Sequence, residues 1–210
     1  MANPPHTSLQ HSWQGDDDPD RLDTATINLE TGRLTAHGTS RTADYAVSWA
    51  LATKPGWVTQ RLTVTVHGQG WSRHLELVRS DDGTWSSATH SSGDTRLPAP
   101  GITDPDGLAG ALDCDLGLCP VTNTMPILRL NLVSGAAAPV DETALTMAWV
   151  EVPSLRVVPI TQVYSHVRAA RGDSPAMVLY SSGNGGFTAE LTVDDDGVVI
   201  DYPGLAKRIR

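Results

Sequence analysis

Seven histidines are the first residues that could do chemistry. His67 and His74 are near neighbours, and His90 follows them. A zinc site needs three or four convergent ligands, and helical zinc motifs read His-x-x-x-His or His-Glu-x-x-His. Neither spacing occurs, so these read as surface or loop histidines, with no metal or other cofactor expected. Asp194-Asp195-Asp196-Gly197 has the acidity of a calcium loop without its alternating ligands or closing Glu, and reads as a hairpin turn. Ser181-Ser182-Gly183-Asn184-Gly185-Gly186 is rich in glycine, but no helix follows whose N-terminus could face a phosphate. It reads as a loop between strands, able to close over a ligand as a rim. Cys114 and Cys119 are spaced C-x4-C, unlike a redox C-x-x-C pair, and no second pair completes a zinc site. They are expected as buried or half-buried thiols. No G-x-S-x-G elbow is present.

Six tryptophans stand against one phenylalanine, so indole carries most of the large aromatic area. An indole brings apolar surface and one N–H donor, which suits the wall of an amphiphile pocket and equally suits a β core. Trp49, Trp57 and Trp149, with Met147, are the candidates for lining a ligand cavity. Clustered acids around Asp113, Asp115 and Glu151 are where a carboxylate pair would be sought.

The elements that must position these residues are strands. Tyr45, Val47, Trp49 and Leu51 alternate with smaller or polar residues, as do Leu62, Val64 and Val66. Period two puts each set on one face. Lys54-Pro55-Gly56 between them signals a turn, so the two runs predict a hairpin. Leu75 and Leu77 continue the pattern up to a turn at Asp82-Gly83. Residues 91–107 hold Pro98, Pro100, Gly101, Pro105 and Gly107 and predict a long loop. Asn123 is positioned to cap a short helix near 124–132, with Pro126 in its first turn and Met125, Leu128 and Leu132 on one face. The run 145–152 is apolar on both faces, as in a strand buried on both sides or lining a cavity. Pro153 and Pro159 punctuate the chain after it, and Phe187, Ala189, Leu191 and Val193 alternate cleanly. Glu76 to Gly83 aligns without gaps on Glu190 to Gly197, a weak repeat that two similar hairpins would also produce.

Length and charge bound the rest. The chain of 210 residues suits one domain over 13–210, with a flexible tail over 1–12. Hydrophobic residues at 40% are enough for a core. A net charge of −9 leaves no basic stripe for nucleic acid. Lys207, Arg208 and Arg210 read as a solvated tail. No stretch is long and apolar enough for a transmembrane helix, and the start lacks the pattern of a signal peptide, so a cytoplasmic location is expected.

The segment Asp113 to Leu130, with its Thr-Asn-Thr-x-Pro-Ile-x-Arg-Leu core, is distinctive. With it go Val150 to Leu155, Gly186 to Leu191, Asp196-Gly197 and Asp201-Tyr202-Pro203-Gly204-Leu205. In this order they resemble a bacterial family called putative glycolipid-binding proteins, formerly a domain of unknown function. The resemblance implies an all-β roll or barrel-like spiral and a lipid-like ligand; it carries over no catalytic residues. The expected fold is therefore all-β: a curved antiparallel sheet around an apolar interior, with possible internal duplication and one short helix.

Two roles are open for the family core. Asn123 and Thr124 would satisfy free N–H groups of a helix start. Arg129 would pair with Asp113 or Asp115, the favoured reading, or hold a headgroup. Tyr202-Pro203-Gly204 is expected to be a turn with the Tyr hydroxyl tied to backbone. Three functions are compatible with this sequence: a non-catalytic carrier of a lipid or glycolipid, a hydrolase or isomerase acting on an amphiphile, or a β domain that binds a protein partner. The composition does not fix an oligomeric state.

Overall fold

The structure, a computed structural model, describes residues 7–136, 138–139, 141–183 and 186–209. Seven strands come first: β1 (Thr7–Gly15), β2 (Leu22–Glu30), β3 (Arg33–Arg41), β4 (Tyr45–Lys54), β5 (Val58–Gly68), β6 (Trp71–Arg79) and β7 (Trp85–Ser92). Then come β8 (Gly101–Ile102), β9 (Asp113–Leu116) and one helix, α1 (Thr124–Arg129). The last six strands are β10 (Thr143–Val150), β11 (Arg156–Arg168), β12 (Ala176–Ser182), β13 (Phe187–Val193), β14 (Val199–Tyr202) and β15 (Ala206–Arg208).

All fifteen strands belong to one sheet, ordered β7-β6-β5-β4-β3-β2-β1-β15-β14-β13-β12-β11-β10-β9, with β8 beside β11. Each half is a run of chain neighbours, and the halves join where β1 pairs β15, Trp13 opposite Arg208. Pairing is antiparallel except for β9 with β10 and β8 with β11. The expected mostly antiparallel β fold with one short helix is present. The closed roll or barrel-like spiral is not: the ladder has free ends at β7 and β9, and the sheet is neither closed nor strongly curled. The chain between β7 and β9 carries Pro98, Pro100 and Pro105, which lack the N–H a continuing ladder needs. It crosses with only the short β8 paired to β11 and a 3-10 turn at Asp106–Leu108, and side chains tie it down. Arg79 Nε and Trp85 Nε1 both donate to the Ala111 carbonyl, at 2.8 and 3.1 Å.

The alternation places Leu62, Val64, Val66, Leu75 and Leu77 inward, essentially without exposure, as expected. Leu34, Ile27 and Trp13 extend the same core. Strands β2 and β3 went unread because small or polar residues (Ala25, Ala36, Gly38, Asp23) occupy their inward positions and blur the pattern. Gly38 is needed there, since a Cβ would sit 2.6 Å from the Trp49 ring. A second cluster gathers Ile127, Met147, Tyr164, Val178, Leu191 and Tyr202 under the other half.

The turns follow their chemistry. Gly56 (φ 82°) and Gly83 (φ 90°) adopt the left-handed region at the two expected turns. The Ser80–Thr84 and Asp194–Val198 turns share one bond pattern, with the first residue's N–H and C=O bonded four and three residues ahead. That common geometry accounts for the weak repeat as two like hairpins.

Several expectations change. Residues 7–12, expected within a flexible tail over 1–12, pair with β2 along β1; residues 1–6 lie outside the described residues. The helix ends at Arg129, and a 3-10 turn, Pro120–Asn123, precedes it. Asn123 is itself helical there and makes no capping bond. Of the run 145–152, residues 145–150 lie in β10, which ends at Val150, and 151–152 lead into a turn. Pro159 lies inside β11, opposite Ala148, in a stretch where β11 has only β10 as a partner. A missing N–H is harmless there. Arg208 is no solvated tail: it pairs with Asp194 at 2.7 Å and lies over Trp13, while Arg210 is outside the described residues. Of the glycine-rich loop, Asn184 and Gly185 are also outside them. No helix among the described residues is long and apolar enough to cross a membrane.

Candidate functional site

A cleft of ≈ 590 Å³ opens on the β9–β15 half. Register explains its floor. On β9, Asp113 and Asp115 share a face, and they sit opposite Met147 and Trp149 of β10. At one end α1 covers the row: Met147 is buried, and Arg129 makes a two-pronged ion pair with buried Asp113. At the other end Asp115 and Trp149 reach the cleft. Burial raises the Asp113 carboxyl above its ordinary value, and Arg129 opposes that rise.

Asp115 anchors a polar network. Thr122 Oγ1 donates to it at 2.7 Å and Gln162 Nε2 at 2.6 Å. The Tyr164 hydroxyl lies 2.8 Å from Asn123 Oδ1 and 3.1 Å from Gln162 Oε1. Asn123 Nδ2 donates to the Pro120 carbonyl at 3.4 Å. Burial pushes Asp115 up to about 6, against the pull of its two donors. Glu151, also in the lining, is held low by Arg156 and Ser154.

An aromatic wall completes the cleft. Tyr180 packs edge-on against Tyr164 and Tyr202, at ring separations of 5.2 and 5.5 Å. Phe187 closes the group, 6.0 Å from Tyr202. Burial raises all three tyrosines, Tyr180 to about 12, so their hydroxyls stay neutral. The Tyr180 hydroxyl lies near Tyr202, Ser182 and Gln162. The expected bond from the Tyr202 hydroxyl to the backbone is not found among the described residues, and the hydroxyl faces Tyr180 instead.

The candidates divide. Asp115, Asn123 and Trp149 line the cleft. Trp49 and Met147 are buried in the two cores, and Trp57 sits half-buried where β4 turns into β5. Arg129 and Asp113 are spent on each other and do not line it. Trp49 and Trp13 do border a void of ≈ 20 Å³ that shares Leu116, Cys119 and Val152 with the cleft. Gln162, Tyr164, Tyr180, Phe187 and Tyr202 were missed. The available signal was polar Gln162 between Ile160 and Tyr164 on one face of an otherwise apolar run.

Chemically the lining offers carboxylates, hydroxyls and amides. Among the described residues it holds no histidine, lysine or arginine. Both cysteines are free, and burial raises both thiols, Cys114 to about 12, so neither is a ready nucleophile. No group of three potential metal ligands occurs among the described residues.

Four of the five segments singled out in the sequence reach this cleft, while Asp196-Gly197 packs at Ile127 and Leu128. Asp115 and Asn123 come from the first, Glu151 to Ser154 from the second, Phe187 from the third, and Tyr202, Gly204 and Leu205 from the last. A family model described as "Putative glycolipid-binding" matches residues 10–208. The chain is also similar to a DUF1089 family protein from Pseudomonas aeruginosa, known from a crystal structure at 1.80 Å resolution. The two are 26% identical with a TM-score of 0.64, over 89% of this chain and 92% of that one. No curated protein matches the sequence.

Proposed function

The chain belongs to the putative glycolipid-binding family, and from that premise we propose that it binds a glycolipid or similar amphiphile in the β9–β15 cleft, without chemistry. The carrying observation is the cleft itself: ≈ 590 Å³, lined by the segments that mark the family. Small-molecule sites run roughly 300–1,000 Å³ and combine apolar walls with a few fixed polar groups. Leu97, Leu118, Val152 and Leu205 supply apolar surface, and Asp115, Asn123 and Tyr180 supply the polar groups. Each CH₂ leaving water for such a wall contributes about 0.8 kcal/mol. The seat is this cleft and not the interior of a barrel, since the sheet is not closed and the core against β1–β7 is filled by side chains of both halves, Leu62 and Leu75 with Leu116 and Val150 among them. Native mass spectrometry of the purified protein, with organic extraction of anything released, tests the reading. A stoichiometric amphiphile is the expected result. Bare protein that also fails to take up a fluorescent lipid would sink it.

One observation favours a second reading, hydrolysis of an amphiphile. Asp115 is pushed up to about 6 while Glu151 is held low, and both line one cleft. Environments that drive two carboxylates apart suit a general acid and its partner. Assaying 4-nitrophenyl glycosides and esters between pH 5 and 7 decides the matter. Turnover lost in Asp115→Asn supports hydrolysis, and no turnover removes it.

A further inference from the structure

One buried cation has no acid to answer it. Arg73, on β6, faces inward and is 5% exposed. Its partners are three backbone carbonyls: Nη1 donates to Pro98 and, at 3.0 Å, to Ser154, and Nη2 donates to Leu97 at 3.0 Å. The two carboxylates of the cleft are engaged elsewhere. Glu151 is held by Arg156 and the Ser154 hydroxyl, and Asp115 by Thr122 and Gln162. Burial lowers the Arg73 pKa, and no acid offsets the loss of water. A guanidinium has five N–H donors. The bonds to carbonyls use three, and Nε is buried with no partner. Nε and Nη2 are the neighbouring nitrogens with which a guanidinium grips an oxyanion side-on. A desolvated charge held by neutral carbonyls is under-compensated, because bonds to an ionised acceptor are roughly twice as strong.

Two of those carbonyls belong to a loosely held strap. Residues 94–100 form no backbone hydrogen bond with the sheet. Among the described residues, the Arg73 bonds are the only hydrogen bonds that join this segment to the rest of the protein. Gly93 (φ 77°) and Gly101 (φ 101°) bracket it in the left-handed region. Leu97 and Pro98 of the strap line the β9–β15 cleft, as does Ser154, whereas Arg73 does not. The strap therefore stands between the cleft and the cation.

We infer that Arg73 is the seat of an oxyanion subsite behind the cleft rim, which takes a phosphate or carboxylate group when the carbonyls of Leu97 and Pro98 swing away. The two strap carbonyls are neutral stand-ins for that group. The inference rests on the cleft being a binding site, as proposed above, and adds an anionic group to the chemistry of its amphiphile. Free phosphate is the other source of the same chemistry.

Dodecyl phosphate, dodecyl maltoside and inorganic phosphate are titrated by calorimetry into the full chain and into Arg73→Gln, the alkyl probes below their micelle-forming concentrations. Dodecyl phosphate is expected to bind the parent and to lose at least about ten-fold in Arg73→Gln, while dodecyl maltoside changes by less than about three-fold. Trypsin supplies a readout in the unaltered chain, because its site after exposed Arg96 lies in the strap. Either phosphate should speed that cut, since no other hydrogen bond tethers the strap, and dodecyl maltoside should not. This second measurement decides the matter if Arg73→Gln does not fold. Unchanged dodecyl phosphate affinity in a folded Arg73→Gln, equal losses of the two alkyl probes, or an Arg96 cut indifferent to both phosphates each overturn the subsite. Dodecyl maltoside that still binds the parent then keeps the amphiphile reading. Inorganic phosphate that binds through Arg73 while neither alkyl probe binds keeps the subsite and removes the amphiphile reading. Binding of none of the three removes both.

Discussion

The two halves of the sheet use one architecture in opposite ways. In β1–β7, inward positions are mostly aliphatic or Trp, with Asp23, Thr53, Thr59 and Arg73 as the buried polar residues. In β9–β15, Asp113, Gln162, Tyr164 and Tyr180 turn inward. Buried polar groups need partners, and Asp113 has Arg129 while Gln162 and Tyr164 belong to a network running from Thr122 to Asn123. The first half is packed for stability. The second gives up aliphatic packing for fixed donors and acceptors beside a cleft.

Mutations can break that contrast at several strengths. The largest effect is expected from Arg129→Ala, which strands the buried Asp113 carboxylate in the second half. Breaking one partner of a buried pair costs about 3–5 kcal/mol, measurable by urea denaturation. Leu75→Ala, in the filled half, should cost about 2–5 kcal/mol for a buried leucine and leave ligand preference untouched. An altered preference would mean that the halves are coupled.

The pH dependence sharpens the contrast further. Asp115 holds its proton more tightly when folded, at about 6 against an ordinary 3.8. Between those values the folded state binds more protons than the unfolded, so this group's contribution to stability falls as pH rises through the window. The shift corresponds to about 3 kcal/mol at most. Asp115→Asn should therefore gain stability relative to the parent between pH 4 and 6.5, in paired denaturation curves. A constant difference would show that Asp115 does not titrate in this way. The smallest effect is expected from Tyr164→Phe, which removes the one hydroxyl proton shared by the Asn123 and Gln162 oxygens. About 1–2 kcal/mol is expected, read by thermal unfolding.

The same contrast decided which elements could be read from sequence. Where inward positions were large and outward ones polar, as in Leu62-Val64-Val66, the strand was legible from period two alone. The Arg129–Asp113 pair was also legible, because a lone cation in an apolar segment near two acids has few other uses. The aromatic wall was not. Tyr164 faces Tyr180 only through the β11–β12 register, and Tyr202 joins them across β13. Such meetings depend on pairing partners that no local pattern reveals. Tryptophans drew attention by their number, yet most of them serve the core or its edge, and the cleft is walled chiefly by tyrosines. Asn123 was placed correctly at the helix start, but it serves Tyr164 instead of the helix.

The junction of β1 with β15 has a consequence for how the chain comes to be folded. Two segments from near opposite ends of the sequence meet in the middle of the sheet, not at its margin. During synthesis one side of β1 must wait for almost everything else to emerge, with its peptide groups open to other chains. Losing the last strand would therefore split the sheet at its centre and uncover two pairing edges at once, where trimming β7 would only move an edge that already exists.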